Sequence, residues 1–227
     1  RRSSDLYRVS KYDLSTGQYT ELWTYTGDDR VDVFGENTGK VDSMSDGSYV
    51  RMDSNGNFYI MTSSTGNDND TLIKVNFDKN TSEVIYTTDM EKLYSLQSDG
   101  EYLYFFESTQ SRETKSYFTA IDMNGTLKAQ YEMEYDEEFL EKAKKYYEQY
   151  PEDTSVVADA SGICVYGIDE RYILMGSNSD SDVYKNLKSL NSKPYKKVIT
   201  TGVGVINKMD YLNSGTASIK QIYQNLS

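Results

Sequence analysis

The chain has 227 residues, of which 37% are hydrophobic and 15 are glycine, so it is long and apolar enough to fold around a core of its own. Its 24 basic and 36 acidic side chains give a net charge of −12, which would repel nucleic acid and anionic lipid. Because histidine is absent, the sequence excludes Ser-His-Asp and Cys-His nucleophiles and histidine metal sites.

The start of the chain and its single cysteine bear on where the protein resides. Residues Arg1 to Ser4 include neither an initiator methionine nor an apolar targeting core, so we expect a leader or an anchor upstream. The longest apolar and aromatic run, Tyr102 to Phe106, is far too short to span a membrane. Cys164 has no intrachain partner, and its apolar neighbours predict a buried, inert thiol.

The composition predicts a mostly β fold. The 22 tyrosines suit strands, and the abundant Ser, Thr, Asn, Asp and Gly suit tight polar turns. In chain order, the predicted strands are 6–12, 18–24, 58–63, 72–77, 83–88, 102–107, 116–121, 127–133 and 169–175, followed by strands near 183–189 and 195–200. Between Val203 and Tyr223 we expect a final hairpin that turns around Asn213-Ser214-Gly215.

An internal repeat is the most informative feature of the sequence. Phe58 and Tyr102 are 44 positions apart, and so are the turn residues Asp78 and Asp122. Each repeat contains a turn, an aromatic strand that forms the second arm of a hairpin, a polar loop, a strand, a tight turn and a last strand. Four antiparallel strands in about 44 residues are the size of one β-propeller blade, which buries its faces against neighbouring blades.

We therefore predict an all-β, propeller-like array of about four four-stranded blades, which forms a single domain over residues 1–227. Three blades are internal and the fourth is composite, because the final hairpin would pair with strands 6–12 and 18–24 and so remove exposed sheet edges. Residues 25–47 are poorly patterned and leave room for another strand. Two architectural alternatives are a segment of a longer propeller and a β-sandwich.

A helical insertion over 134–155 interrupts the repeat. Between Phe139 and Tyr150, apolar and aromatic residues recur at helical spacing, and acidic residues precede lysines in the order that suits the helix dipole. Pro151 ends this pattern, which predicts a helix over 136–149. Its aromatic stripe either packs on the blades or forms an exposed lid or partner-docking face made of Tyr146, Tyr147 and Tyr150.

The pattern of strand, turn and strand recurs as Tyr12-Asp13-Leu14-Ser15-Thr16-Gly17-Gln18, Phe77-Asp78-Lys79-Asn80-Thr81 and Ile121-Asp122-Met123-Asn124-Gly125-Thr126. It resembles the repeats of bacterial extracellular propellers of the low-density-lipoprotein-receptor-like and quinoprotein-like families. The sequence has no Trp-Asp dipeptide, and its nearest string to Tyr-Trp-Thr-Asp is Leu22-Trp23-Thr24-Tyr25, so no ligand residue is carried over from these families. The resemblance implies a binding or scaffold protein on the outside of a bacterial cell, lipid-anchored or attached to another domain.

The function predicted from these features is a non-catalytic extracellular module that binds a protein or another ligand and uses no cofactor or metal. The candidate binding residues are aromatic, namely Trp23, Tyr25, Tyr146, Tyr147 and Tyr150. The alternative is a propeller that binds carbohydrate or cleaves glycosides, because aromatic rings stack on sugars and paired carboxylates catalyse hydrolysis.

Acidic residues provide the candidates for that alternative chemistry. Carboxylates near the predicted inner strands are Asp42, Asp46, Glu91, Asp159 and Asp210. The loops Asn67-Asp68-Asn69-Asp70 and Asn178-Ser179-Asp180-Ser181-Asp182 offer oxygen ligands for calcium. Neither loop has the spaced pattern of a calcium-binding loop, so we expect solvated hairpin tips there.

Overall fold

A computed structural model describes residues 6–26, 50–62, 69–79, 81–109, 115–132, 137–152, 163–177, 202–214 and 220–224. In these ranges the chain forms fourteen strands in four antiparallel sheets and two helices, which confirms the mostly β prediction. The chain divides into two compact units, Arg1–Thr87 and Thr88–Ser227. None of the helices within these ranges is both long enough and apolar enough to cross a membrane.

The first unit begins with a two-stranded sheet, which we call the N-terminal hairpin. Its strands are β1 (Leu6–Tyr12) and β2 (Tyr19–Thr26), close to the predicted bounds. Asp13 forms the turn, because its Oδ1 accepts hydrogen bonds from the backbone N–H groups of Ser15 and Thr16 at 2.8 and 3.1 Å. Gly17 completes the turn at a φ of +67°, which a residue with a side chain would rarely adopt.

Sheet I follows in the same unit as a four-stranded meander. Its strands are β3 (Val50–Met52), β4 (Asn57–Thr62), β5 (Thr71–Asn76) and β6 (Thr81–Thr87), in that spatial order. One face carries a core of Ile60, Ile73 and Val75, against which Phe58 and Phe77 pack. As predicted, the aromatic strand is the second arm of a hairpin.

Sheet II begins the second unit with the same meander. Its strands are β7 (Lys92–Ser98), β8 (Tyr102–Ser108), β9 (Ser116–Asp122) and β10 (Leu127–Glu132). The register places Phe105 opposite Thr119 and Phe106 opposite Phe118, and all four side chains are fully buried. Because consecutive strand residues point to opposite faces, sheet II is buried on both faces.

The predicted helix is present as α1 (Glu137–Gln149), one residue shorter than expected. It ends two residues before Pro151, whose ring cannot continue a helix. The periodicity of the aromatic stripe and the proline were sufficient to predict this element from the sequence.

Sheet III contains β11 (Ile163–Ile168), β12 (Tyr172–Ser177), β13 (Gly202–Asn207) and β14 (Lys220–Gln224), again as a meander. Two predictions about the tail are therefore wrong. The final hairpin pairs with β12 rather than with the N-terminal hairpin, because Ile206 lies opposite Ile173 and both are buried there. The predicted strands near 183–189 and 195–200, and the segment 27–49, lie outside the described residues.

The second error concerns the turn expected around Asn213-Ser214-Gly215. The chain instead forms a helix, α2 (Lys208–Ser214), between β13 and β14. Asn207 caps it, since its Oδ1 accepts a hydrogen bond from the backbone N–H of Asp210 at 3.1 Å. Tyr211 then lies over Phe118 of sheet II with ring centroids 4.9 Å apart, so tertiary packing stabilises this short helix.

Sheets II and III share one hydrophobic core, and both belong to the second unit. The first strands of the two sheets, β7 and β11, lie side by side. Val165 in β11 donates its N–H to Ser95 Oγ at 3.2 Å and accepts a hydrogen bond from Gln97 Nε2 at 3.1 Å. A bulge in β7, with Ser95 at a φ of +57°, places these side chains toward β11.

Candidate functional site

The helical tyrosines are only partly available to a partner. Tyr146 and Tyr147 are each 9% exposed, whereas Tyr150 is 40% exposed. The Tyr146 ring contacts both others, with centroid separations of 5.6 Å to Tyr147 and 5.0 Å to Tyr150. Of the two alternatives for the stripe, packing therefore describes Tyr146 and Tyr147, and the exposed face is limited to Tyr150 among these three.

The other predicted residues are distributed over the chain. Trp23 and Tyr25 lie in β2, opposite Val9 and Tyr7, but their side chains are outside the described part of the structure. Cys164 in β11 is half-buried rather than fully buried as expected.

Two of the candidate carboxylates are described. Glu91 precedes β7 at a φ of +75°, and Asp210 lies exposed in the first turn of α2. Asp42, Asp46 and Asp159 lie outside the described residues, as do all but two residues of the candidate calcium loops. Asn69 and Asp70 are described, and Asp70 is buried rather than solvated. Within the described ranges, no three Cys, Asp or Glu side chains are grouped as metal ligands would be.

One candidate binding site is a groove in the first unit, between the N-terminal hairpin and sheet I. It has a volume of about 440 Å³. Three consecutive residues of β1 and three of β3 form its walls, and residues around the two turns of sheet I form its floor. The full lining comprises Ser10, Lys11, Tyr12, Val50, Arg51, Met52, Gly56, Phe58, Phe77 and Asp78.

The floor of the groove is an aromatic pair at the end of the sheet I core. Phe58 and Phe77 meet edge to face, with ring centroids 5.0 Å apart. Above this pair, Met52 is 64% exposed and Tyr12 is 59% exposed, although both are large hydrophobic side chains. The groove therefore exposes apolar surface that a ligand can contact, whereas the side chains of the neighbouring sheet I core are buried.

The turn between β3 and β4 shapes one end of the groove. Asp53 Oδ1 accepts hydrogen bonds from the N–H groups of Asn55 and Asn57 at 2.8 and 3.0 Å. Burial raises the pKa of Asp53, but the side-chain amide of Asn57, these backbone donors and the Tyr59 hydroxyl more than offset this effect and lower the pKa below its ordinary value. Gly56 sits in this turn at a φ of +78°, where a Cβ would approach Asp78 Oδ2 to 3.9 Å.

The charges along the groove differ from those of the whole chain. Two lining residues are basic, Lys11 and Arg51, and one is acidic, Asp78. Lys11 is exposed, and Arg51 donates through Nη1 to the Val50 carbonyl at 2.6 Å. A protein with a net charge of −12 thus lines this groove with a small excess of positive charge.

A second, polar cleft of about 250 Å³ lies on sheet I. Its amides are already paired, because Asn76 Nδ2 donates to Asn57 Oδ1 and Asn57 Nδ2 donates to Asp53 Oδ2, both at 2.8 Å. Lys74 Nζ lies 3.8 Å from Glu83 Oε1 at its margin. These bonds join the ends of the strands. The polar residues of this cleft therefore have a structural role, and no ligand is needed to explain them.

The sequence analysis did not identify the groove residues as a site, because the sequence pattern gives each of them an ordinary structural role. Phe58 and Phe77 mark strands of the repeat, and Met52 lies in a three-residue strand that was not predicted. The available signal was the position of Met52, an apolar residue directly before the turn residue Asp53.

Comparisons with known proteins identify no family for the chain: no family model matches it, and neither does any protein of curated function. Among solved structures, the chain is similar to the acylaminoacyl peptidase of Pyrococcus horikoshii, at 10% identity and a TM-score of 0.46, over 96% of this chain and 30% of that one. It is also similar to the hydrazine synthase of Kuenenia stuttgartiensis, at 10% identity and a TM-score of 0.43, over 89% of this chain and 46% of that one. The chain thus spans less than half the length of either protein.

Proposed function

We propose that the chain is a non-catalytic binding module of propeller-like architecture that acts at a bacterial cell surface and takes its ligand in the groove of the first unit. The groove carries the proposal, because it exposes Met52 and Tyr12 above an aromatic floor. Binding sites are typically apolar concavities with a few polar groups that fix orientation. The cell-surface location is supported by the resemblance of the Asp-containing turns to extracellular propeller repeats.

Three features support the propeller-like arrangement. Sheets I, II and III are all four-stranded meanders, which is the topology of a blade. Sheet II is buried on both faces, as a blade between two neighbours would be. The first strands of sheets II and III lie side by side, and in a propeller the first strands of adjacent blades meet near the axis.

The groove's chemistry favours binding over hydrolysis. Glycoside cleavage requires two carboxyl groups on opposite sides of the scissile bond. Among the described residues that line the groove, Asp78 is the single carboxylate. The site therefore supports recognition of a ligand better than cleavage of one.

Carbohydrate is the second candidate ligand. The exposed ring of Tyr12 could stack on a sugar face, and the Asp78 carboxylate could accept hydrogen bonds from sugar hydroxyls. A carbohydrate would bind in the same groove as any other ligand of the module, so the same variants test both candidates.

The experiment is a binding screen of the purified chain against a glycan array and an array of synthetic peptides. Each interaction is then measured with Met52→Asp, which places a charge on a wall of the groove, and with Leu14→Asp, a matched control in the exposed turn of the N-terminal hairpin, where Leu14 is 91% exposed. We expect binding to be lost in the first variant and retained in the second. Binding that is equal in both variants, or absent from both arrays, would contradict the proposal. Turnover of chromogenic glycosides that is lost in Asp78→Asn would contradict its non-catalytic part.

A further inference from the structure

We propose that the groove binds a quaternary ammonium group that is joined to a phosphate, as in phosphocholine. This inference rests on the proposed binding function of the groove and names the chemistry of its ligand. It depends on two properties of the groove: departures from the internal repeat, and an aromatic corner that is accompanied by charges of both signs.

A residue other than Asp78 holds the turn in which Asp78 lies. Asp122, which is 44 positions further along the chain, forms the turn between β9 and β10, because its Oδ1 accepts two backbone N–H bonds of that turn at 2.9 Å each. In the corresponding turn between β5 and β6, Asn76 Oδ1 accepts the N–H of Lys79 at 2.9 Å. Asp78 is exposed and lines the groove, so its carboxylate is available to a ligand.

The aromatic floor of the groove also departs from the repeat. Ile121 in β9 is fully buried, whereas Phe77, which is 44 positions earlier, is half-buried and lines the groove. The ring planes of Phe77 and Phe58 are 76° apart, with centroids separated by 5.0 Å. Two rings at nearly a right angle form a corner in which one group can contact both of them. A cation over the face of an aromatic ring is attracted by the negative charge of that face.

The groove favours a methylated cation over a primary ammonium group. A primary ammonium has three N–H donors, and each donor needs an acceptor when the group leaves water. Of the described residues that line the groove, Asp78 is the single carboxylate, and it directly follows Phe77 in the chain. A quaternary ammonium has no N–H donor, and its methyl groups can contact Phe58 and Met52. The carboxylate then balances its charge without having to accept hydrogen bonds from it.

Lys11 indicates the other charge of the ligand. Its ammonium group is exposed on the wall formed by β1, and it has no hydrogen bond or ion pair within the described part of the chain. Arg51 is not needed for this argument, because its guanidinium donates to the Val50 carbonyl. A ligand that carries both charges can pair with Asp78 and Lys11, whereas a simple cation would be repelled by Lys11. The groove volume of about 440 Å³ is sufficient for a small molecule of this kind.

The test is isothermal titration calorimetry of the whole chain with four small probes. They are phosphocholine, phosphoethanolamine, choline, and dimethylbutyl phosphate, which has the shape of phosphocholine without its positive charge. We expect phosphocholine to bind and each of the other probes to bind at least about tenfold more weakly. Each of them lacks one feature that the groove matches, namely the methyl groups, the anion or the cation.

Variants relate this selectivity to the groove. Phe77→Leu keeps an apolar side chain but removes the ring, so the preference for phosphocholine over dimethylbutyl phosphate should fall about tenfold. Tyr172→Leu, at an aromatic ring of sheet III that is 43% exposed, is the matched control and should not change it.

The role of the anion is tested at an exposed position, where a substitution is tolerated by the fold. Lys11→Gln should weaken phosphocholine binding about tenfold without weakening choline binding. Lys144→Gln, an equal change of charge on the exposed part of α1, should alter neither. Circular dichroism should show that each variant remains folded.

The outcomes separate this inference from the function on which it rests. Equal affinities for phosphocholine and dimethylbutyl phosphate, or for phosphocholine and phosphoethanolamine, would overturn it. Binding to phosphatidylcholine vesicles that free phosphocholine does not compete would overturn it as well, whereas competition would identify a lipid as one source of the group. The glycan array described above should include glycans that carry phosphocholine, and we expect binding to these. Array binding that Met52→Asp abolishes, without phosphocholine binding, would overturn the inference and leave a groove-dependent binding module.

Discussion

Lys208 Nζ lies 3.1 Å from Asp99 Oδ2, although 109 positions separate the two residues. Asp99 lies in the turn between β7 and β8, and Lys208 is the first residue of α2, so the ion pair joins sheet II to the segment that follows β13. Their side chains are only 9% and 14% exposed, which limits screening by solvent. Lys208 also donates its backbone N–H to the Arg171 carbonyl at 2.8 Å, which fixes the start of the helix to sheet III.

We expect Lys208→Met to lower the free energy of unfolding by about 2 kcal/mol, because it leaves a largely buried carboxylate with one donor fewer. Asp99→Asn should have an effect of similar size, and the double variant should lose less than the sum of the two. Urea unfolding of the four proteins measures this coupling. Lys128→Met, at the more exposed 3.6 Å pair with Asp122, is the control and should change stability by less than about 0.5 kcal/mol. Additive losses would show that the contact contributes no coupling.

We expect the protein to lose stability in acid, because the pKa of a turn aspartate is lowered in the folded state. Burial raises the pKa of Asp99, but the N–H groups of Tyr102 and Glu101, the Tyr104 hydroxyl and Lys208 together lower it below its ordinary value of 3.8. A carboxyl group whose pKa is lower in the folded protein stabilises it above its unfolded pKa, and this contribution is lost as the pH falls through the folded pKa.

The free energy of unfolding should therefore decrease as the pH falls below about 4, and it should decrease less in Asp99→Asn. The stability difference between the wild type and this variant should be largest near neutral pH and should shrink in acid. Urea unfolding at a series of pH values provides the measurement. A difference that is constant with pH would mean that Asp99 has its ordinary pKa in the folded protein.

The aspartate turns and the strands that follow them were predictable because their determinants are local. An aspartate whose Oδ1 accepts backbone N–H bonds two to four residues ahead forms the turn at Asp13, Asp53, Asp99, Asp122 and Asp169 alike. Aromatic and β-branched residues then start the next strand within a few positions. These interactions span few residues, so the sequence is sufficient to indicate them.

In two of the three four-stranded sheets, a tyrosine hydroxyl donates a further hydrogen bond to the turn aspartate. Tyr59 donates its hydroxyl to Asp53 Oδ2 at 3.1 Å, and Tyr104 donates to Asp99 Oδ2 at 2.9 Å. In sheet III the position that corresponds to Tyr104, five residues after Asp169, is Leu174. We expect Tyr59→Phe and Tyr104→Phe each to lower the free energy of unfolding by about 1 kcal/mol, since each removes one hydrogen bond to a charged group.

Thermal or urea unfolding of both phenylalanine variants tests whether the two sheets use the bond equally. Tyr12→Phe is the control, because this ring is 59% exposed and should contribute little. Equal stability of the wild type and both variants would show that the tyrosines act through their rings alone.

The tail and the groove could not be predicted in the same way. Tyr211 packs on Phe118 and donates its hydroxyl to the Phe118 carbonyl at 2.8 Å, across 93 positions. Asn207, followed three positions later by Asp210, was a local cap signal, but the turn-forming residues that follow suggested a hairpin instead. The groove depends on where β1 lies relative to β3, which no pattern within either strand specifies.

A buried carboxylate in sheet II provides the last prediction. Glu107 is fully buried and accepts hydrogen bonds from three uncharged side chains. Thr88 Oγ1 donates to Oε2 at 2.6 Å, whereas Thr119 Oγ1 and Gln130 Nε2 both donate to Oε1, the latter at 2.7 Å. Burial, followed by the negative charge of Glu107, raises the pKa of Tyr211 above its ordinary value.

Glu107→Gln should lower the free energy of unfolding by about 1–2 kcal/mol, because charge-assisted hydrogen bonds become neutral ones. Glu107→Leu should lower it by about 3 kcal/mol or more, since it removes the acceptor of three donors. Gln130 Nε2 lies 3.5 Å from Thr119 Oγ1, so these two groups can partly satisfy each other in the leucine variant. Glu132→Gln, on the exposed side of β10, is the matched control for urea unfolding. A leucine variant as stable as the wild type would show that desolvation of the carboxylate cancels its hydrogen bonds.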